Sequence, residues 1–176
     1  YGGAGTYSDL FLVRVDPDVN FDWGSGAPAT GMTADNFAVR WTGTITTPEA
    51  AGTYTFYTKT NDGVRLWVNG QLLVDQWHSS SSVEYSGTIA LAANTRYLIR
   101  MDYFELTGSA RAWLYWQPPG QTKVIVPTSA LRPASDVNAD GYPDGCVDCN
   151  GNGVPDSVDI SSGTDQDCDQ NCIPDS

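Results

Sequence analysis

The chain has 176 residues and a mass of 19.0 kDa, enough for one ordinary domain with a real core plus a tail, or for two small units. Twenty-one acidic residues against nine basic ones give a formal net charge of −12, which repels a phosphate backbone and an anionic membrane surface and excludes nucleic acid as a partner. No apolar run reaches the roughly twenty residues that span a bilayer, so no membrane insertion is expected; the chain opens at Tyr1 with neither an initiator Met nor a leader, as a mature or excised piece would.

From about residue 5 to 133 the text alternates as strands do and is rich in Tyr, Trp, Thr and Val. In chain order the predicted strands are Leu10 to Val15, Asn36 to Ile45, Gly52 to Thr60, Val64 to Val68, Gln71 to Asp75, Tyr85 to Leu91, Arg96 to Glu105 and Arg111 to Gln117. No segment keeps helical spacing for long. Within Arg96 to Glu105, Tyr97, Ile99, Met101 and Tyr103 share one face and Leu98, Arg100 and Asp102 the other, the pattern of a half-buried antiparallel strand. Asn69-Gly70 is a two-residue hairpin signal, because both central positions of a type I′ turn need positive φ. Trp23, Trp41, Trp67, Trp113 and Trp116 read as core or sheet-face residues. Arg14, Arg40, Arg65 and Arg100 read as strand residues paired with acidic neighbours such as Asp16 or Asp35. The expected fold is all-β, an antiparallel sandwich or barrel over residues 1–133.

After "LRPAS" the composition turns to Asp, Asn, Gly, Cys and Pro, which sets a boundary near Ala134 and leaves residues 134–176 as a small irregular tail. Such a segment cannot fold on apolar burial alone and must be disordered, cross-linked or held by metal. Calcium takes six to eight hard oxygen ligands, and a loop offering them at alternate positions with Gly at the sixth is one way to supply them. "DCNGNGVPDSVD" offers Asp148, Asn150, Asn152, the Val154 carbonyl, Asp156 and Asp159, with Gly153 at the turn. Upstream, Asp136, Asn138, Asp140, the Tyr142 carbonyl and Asp144 surround Gly141, and the closing Asp148 falls one place late, where both loops can use it. Downstream, Asp167, Asp169, Asn171 and Asp175 begin a third loop with Cys172 where Gly is expected. Several bound Ca2+ ions are expected; the bland alternative is a solvated acidic linker. The tail resembles thrombospondin type-three and dockerin-like repeats, without the helices that flank an EF-hand loop.

All four cysteines, Cys146, Cys149, Cys168 and Cys172, fall in this tail. Their spacing is close to a zinc ribbon. The crowd of hard carboxylates and the secreted character of the strands favour disulfides in an oxidising compartment, with three connectivities open.

Five ordered blocks carry a second resemblance: "VDPDVNFDWGSGAPATG", "ADNFAVRWTGTITTPEAAGTYTFY", "NDGVRLWVNGQLLVDQW", "YLIRMDYFELTGSARAWLYW" and "VIVPTSALRP". Together they resemble the fourteen-kilodalton domain of protective antigen, a β-sandwich module of bacterial adhesins, glycosidases, toxins and yeast flocculins. The resemblance covers nearly all of residues 1–133. In lectin members two adjacent aspartates joined by a cis peptide hold a calcium that binds sugar hydroxyls. Asn61 stands here for the first and Asp62 matches the second. The resemblance implies a cis Asn61-Asp62 bond, with Glu105 of "ELTGSA" restoring the charge lost at Asn61 and Gly108 allowing close backbone approach. Trp77 and His78 are candidates for an aromatic wall against the sugar ring. The competing reading of Asn61-Asp62-Gly63 is a hairpin turn with positive φ.

Catalysis needs a nucleophile with a base, an open metal position or a carboxylate pair across a cleft. His78 beside the Ser79 to Ser82 run is the lone histidine, and sequence neighbours do not make a relay, so no enzyme is expected. Two functions remain: a secreted or cell-surface, calcium-dependent carbohydrate-binding module of a longer chain, or a structural spacer or accessory module with calcium in the tail alone.

Overall fold

The computed structural model describes residues 2–3 and 11–133; the predicted tail loops and all four cysteines lie outside them. Among the described residues, eleven strands run in the order β1 (Gly2–Gly3), β2 (Asn20–Gly24), β3 (Phe37–Thr46), β4 (Gly52–Asn61), β5 (Val64–Val68), β6 (Gln71–Gln76), β7 (Val83–Leu91), β8 (Arg96–Glu105), β9 (Ala110–Gln117), β10 (Val124–Ile125) and β11 (Leu131–Pro133), with a 3-10 turn at Thr128–Ala130. Every pairing is antiparallel. One sheet runs β1-β3-β8-β5-β6 with β11 also on β3; the other runs β10-β9-β4-β7 with β2 also on β9.

Period-two patterning sets the two layers. On β4, Tyr54, Phe56, Thr58 and Thr60 are buried while Thr55, Tyr57 and Lys59 are partly exposed; on β9, Ala110, Ala112, Leu114 and Trp116 alternate the same way. These residues meet Val39, Ile45, Val64, Leu66, Val68, Ile99, Met101 and Tyr103 from the opposite sheet in a single core. Phe21, Trp23, Trp41, Phe37 and Tyr103 form a linked aromatic cluster at one side, with centroid separations of 4.9 to 6.3 Å. Trp116 is core, Trp23 and Trp41 pack against it, and Trp67 and Trp113 stand on outer faces.

On the outer face of the first sheet, charge alternates strand by strand. Arg40 of β3 lies opposite Asp102 of β8, which lies opposite Arg65 of β5, which lies opposite Asp75 of β6. Opposite charges facing each other across strands stabilise the pairing. Arg40 and Arg100 each donate two hydrogen bonds to the Asp102 carboxylate, at 2.9 and 3.1 Å and at 3.0 and 2.7 Å. Arg65 bonds to Asp75 and Arg14 to Asp16. Asp35 pairs with none of these arginines; its carboxylate takes the Gly108 N–H instead.

One expected strand and one competing reading need correction. Residues 11–16 belong to no strand: Phe11, Val13 and Val15 are 55, 76 and 71% exposed, so the apolar face of that alternation lies uncovered, and of these residues only Leu12 packs against the core. Asn61-Asp62-Gly63 is not a hairpin. It joins β4 of one sheet to β5 of the other, and none of the three residues has positive φ. By contrast Asn69 (φ 50°) and Gly70 (φ 71°) form the expected turn between β5 and β6.

Candidate functional site

The corner where the chain leaves one sheet for the other brings several predicted residues together. The Asn61–Asp62 peptide is cis, as the family resemblance implied. Asp62 N–H donates to the Phe104 carbonyl at 3.2 Å and Phe104 N–H donates to the Gly63 carbonyl at 3.0 Å, so the corner is laced to the end of β8. Gly63 is required for packing: a Cβ there would overlap the Phe104 ring.

Asp62 is 3% exposed and its carboxylate is well served. Oδ1 accepts from Ser79 Oγ at 2.7 Å and Ser80 N–H at 2.8 Å; Oδ2 accepts from Leu106 N–H at 2.9 Å. Three donors leave one of the four lone-pair positions on this carboxylate open, on Oδ2. The Asp62 carbonyl also accepts from Thr60 Oγ1 and Ser80 Oγ.

Glu105 is placed differently from the expected loop ligand. It is the last residue of β8, on the inner face in line with Met101 and Tyr103, and has no exposed surface. Its Oε1 is buried with no hydrogen-bond partner. Its Oε2 lies 3.2 Å from the Tyr103 hydroxyl, which also contacts the Asn61 carbonyl. A phenol has one proton to donate, so Tyr103 cannot serve both acceptors fully. Burial, and next the negative charge of Asp62, push the Glu105 carboxyl up to about 7 against the Tyr103 contact. Burial and the Glu105 charge likewise push the Tyr103 phenol above its ordinary value. The corner is short of positive charge.

That deficit bears on calcium. The donors here are hard oxygens: the orphan Oε1 of Glu105 and the open position on Asp62 Oδ2, to which the half-buried Asn61 amide, carbonyls of the following loop and water would have to be added. This chemistry fits calcium and not a soft-ligand metal. No group of three or more His, Cys, Asp or Glu is clustered for a metal among the described residues, so carboxylates alone do not complete a ligand set.

The loop after Glu105 is braced from Asp35 and Asn36. Asp35 Oδ1 accepts from Gly108 N–H at 3.0 Å and Asn36 N–H donates to the Leu106 carbonyl at 2.9 Å. Gly108 has φ 114°, a conformation that favours glycine, and no protein atom lies within 4 Å of its Cβ position. Trp77 and His78 follow β6 beside this corner. Trp77 sets its edge on Phe104 with centroids 4.7 Å apart and carries the Arg65 guanidinium at 5.0 Å. His78 is exposed, its ring nitrogens within 3.0 Å of the Ser79 carbonyl and Gln76 Oε1. Sequence reasoning missed Ser79, Ser80 and Tyr103; the Ser79 to Ser82 run was visible, but not that its hydroxyl and amide face Asp62.

An antiparallel two-sheet sandwich with a buried acidic corner at its sheet crossing defines the class. Residues 1–130 match the PA14 domain, and the chain belongs to that family. It is 46% identical over 128 residues to anti-sigma-I factor RsgI3 of Acetivibrio thermocellus, matching 73% of this chain and 20% of that protein. An anti-sigma factor domain-containing protein from Clostridium clariflavum is similar at 35% identity with a TM-score of 0.69, over 77% of this chain and 46% of that one. The PA14 sugar-binding domain from an RTX adhesin shares the fold at 20% identity and a TM-score of 0.52, over 66% and 77% of the two chains. The chain thus spans about a fifth of its curated relative and under half of the Clostridium clariflavum protein. No helix among the described residues is long and apolar enough to cross a membrane.

Proposed function

We propose that this PA14 domain is a non-catalytic, calcium-dependent carbohydrate-binding module, displayed outside the cell as part of a longer protein. The observation that carries this reading is the orphan Oε1 of Glu105 beside Asp62: a fully buried carboxylate with an unserved oxygen next to a second carboxylate asks for a cation. Asn61, Asp62 and Glu105 would hold the ion. Calcium, when bound, supplies positive charge and exchangeable positions that vicinal sugar hydroxyls can take. The chain's own residues do the rest: Ser79, Ser80 and Leu106 N–H orient the Asp62 carboxylate, and Asp35 anchors the loop that follows Glu105. The sugar-binding RTX adhesin domain supports the carbohydrate assignment by analogy of fold alone. In the tail, the Asp136, Asp148 and Asp167 loops take further calcium in this reading, with the cysteines bridged.

The full chain is expected to be retained on an array of neutral glycans with calcium and released by EDTA. Glu105→Gln keeps the size of the side chain and removes its charge, so it should weaken calcium at the front site by about tenfold or more; Asn61→Asp should tighten it. Retention on neutral glycans that ignores EDTA, or a Glu105→Gln protein that binds calcium and neutral glycan as the parent does, would rule the reading out. One observation favours a second reading, a structural spacer: three donors already serve Asp62 without any ion. That version expects no glycan signal and calcium in the tail alone.

A further inference from the structure

The second sheet turns an unusual face outward. Residues that pair side by side on β4 and β9 make three successive rows: Asn61 with Arg111, Lys59 with Trp113, and Tyr57 with Tyr115. Rows on one face of a sheet are about 7 Å apart, so the aromatic rings form a strip that leads away from the cis corner. Trp113, Tyr115 and Tyr57 are partly exposed and lie outside the core cluster. Each ring is topped by a cation. Lys59 Nζ sits 5.6 Å from the Trp113 centroid with the Arg111 guanidinium at 6.0 Å, and Lys123 Nζ sits 4.4 Å from Tyr57 and 4.7 Å from Tyr115.

The chain has only two lysines, and both stand here. Two carboxylates answer the three cations: Glu84 accepts from Lys123 at 2.6 Å and Asp22 from Arg111 at 3.1 Å. Both pairs are solvent-exposed, where an ion pair is weak and readily exchanged. Lys59 makes no ion pair among the described residues. A face with surplus positive charge on a chain of net charge −12 is selective for anions against the rest of the molecule.

We infer that this face binds a linear polysaccharide bearing carboxylates, a polyuronate. The sugar rings lie flat on Trp113, Tyr115 and Tyr57 while the ammonium groups of Lys59 and Lys123 swing off the rings to meet the uronate carboxylates. Aromatic faces recognise the C–H face of a pyranose and lysines recognise its anionic rim, so one strip reads both features. The chain's own acidic tail would satisfy the charges but leave the aromatic strip unused, since Tyr142 is the sole aromatic residue after position 133. This face stands on its own geometry and needs no calcium.

Affinity electrophoresis of the full chain in EDTA tests it, with alginate in one gel and neutral hydroxyethylcellulose in another. EDTA removes the calcium-dependent site from the readout, so failure of that site and failure of this one are separable. Alginate is expected to retard the protein and the neutral polymer not to. Trp113→Ala and Lys59→Ala should each weaken retardation by roughly tenfold, with unchanged thermal midpoints because both side chains are outside the core. Lys59→Arg should retain binding, and added salt should weaken it. Absence of retardation by alginate, equal retardation by the neutral polymer, or full retardation of Trp113→Ala would overturn the inference.

Discussion

At the level of single residues, the corner between the sheets is built by what small side chains permit and what carboxylates demand. Gly63 sits where any Cβ would strike Phe104, and Phe104 is held in turn by Trp77. Gly63→Ala should therefore lower stability by about 1–3 kcal/mol through overpacking, read as a drop in the thermal midpoint; an unchanged midpoint would mean that Phe104 can move aside freely. Asn61, Asp62 and Glu105 were legible through the family resemblance because their spacing within two ordered blocks is distinctive. The inward placement of Glu105 was legible too, in hindsight, since it continues the odd-numbered face of Tyr97, Ile99, Met101 and Tyr103. What no sequence reading could supply is the closure from Ser79 and Ser80, seventeen and eighteen positions from Asp62, because contact across a loop depends on how two sheets stack.

Among the elements, β8 carries the most consequence, since it pairs with β3 over ten positions and with β5 over five. Asp102 at its centre is 3% exposed. Burial alone would raise its carboxyl; hydrogen bonds from Arg100 and Arg40, with their charges, outweigh burial and hold it below the ordinary value of 3.8. A carboxylate whose pKa is lowered by folding contributes stability above its unfolded value, and that contribution fades as pH falls below about 4 toward the folded value. Asp102→Asn should cost about 2–3 kcal/mol at pH 7, seen in the urea midpoint, and the difference from the parent should narrow as pH falls from 4 to 2. A constant difference across that range would place the stabilisation elsewhere. Strand positions were readable here because Val, Ile, Tyr and Trp alternate cleanly from β3 to β9. The short strands β1, β2, β10 and β11 were not: two to five residues give too few alternations, and their pairing is fixed by the longer strands they border.

Across the whole molecule, charge divides unevenly. Residues 134–176 hold ten of the twenty-one acidic residues and none of the nine basic ones, so residues 1–133 carry 9 − 11 = −2 and the tail −10. A nearly neutral sandwich and a strongly acidic tail should respond differently to a divalent cation. Calorimetric titration of the full chain with calcium is expected to give a stoichiometry above one, and Glu105→Gln should remove one site while leaving the others. Loss of every site in that variant, or a stoichiometry of zero, would contradict the two-part arrangement.

The strands Gly2–Gly3 and Leu131–Pro133 both lie along β3, paired to Ala38 and Phe37 at one point and to Ile45, Thr44 and Gly43 at another. Entry and exit of the fold are therefore separated by about five strand residues, roughly 17 Å. A host protein could accept such a unit within one of its surface loops by opening a gap of that width, keeping its own backbone on course while gaining a protruding head.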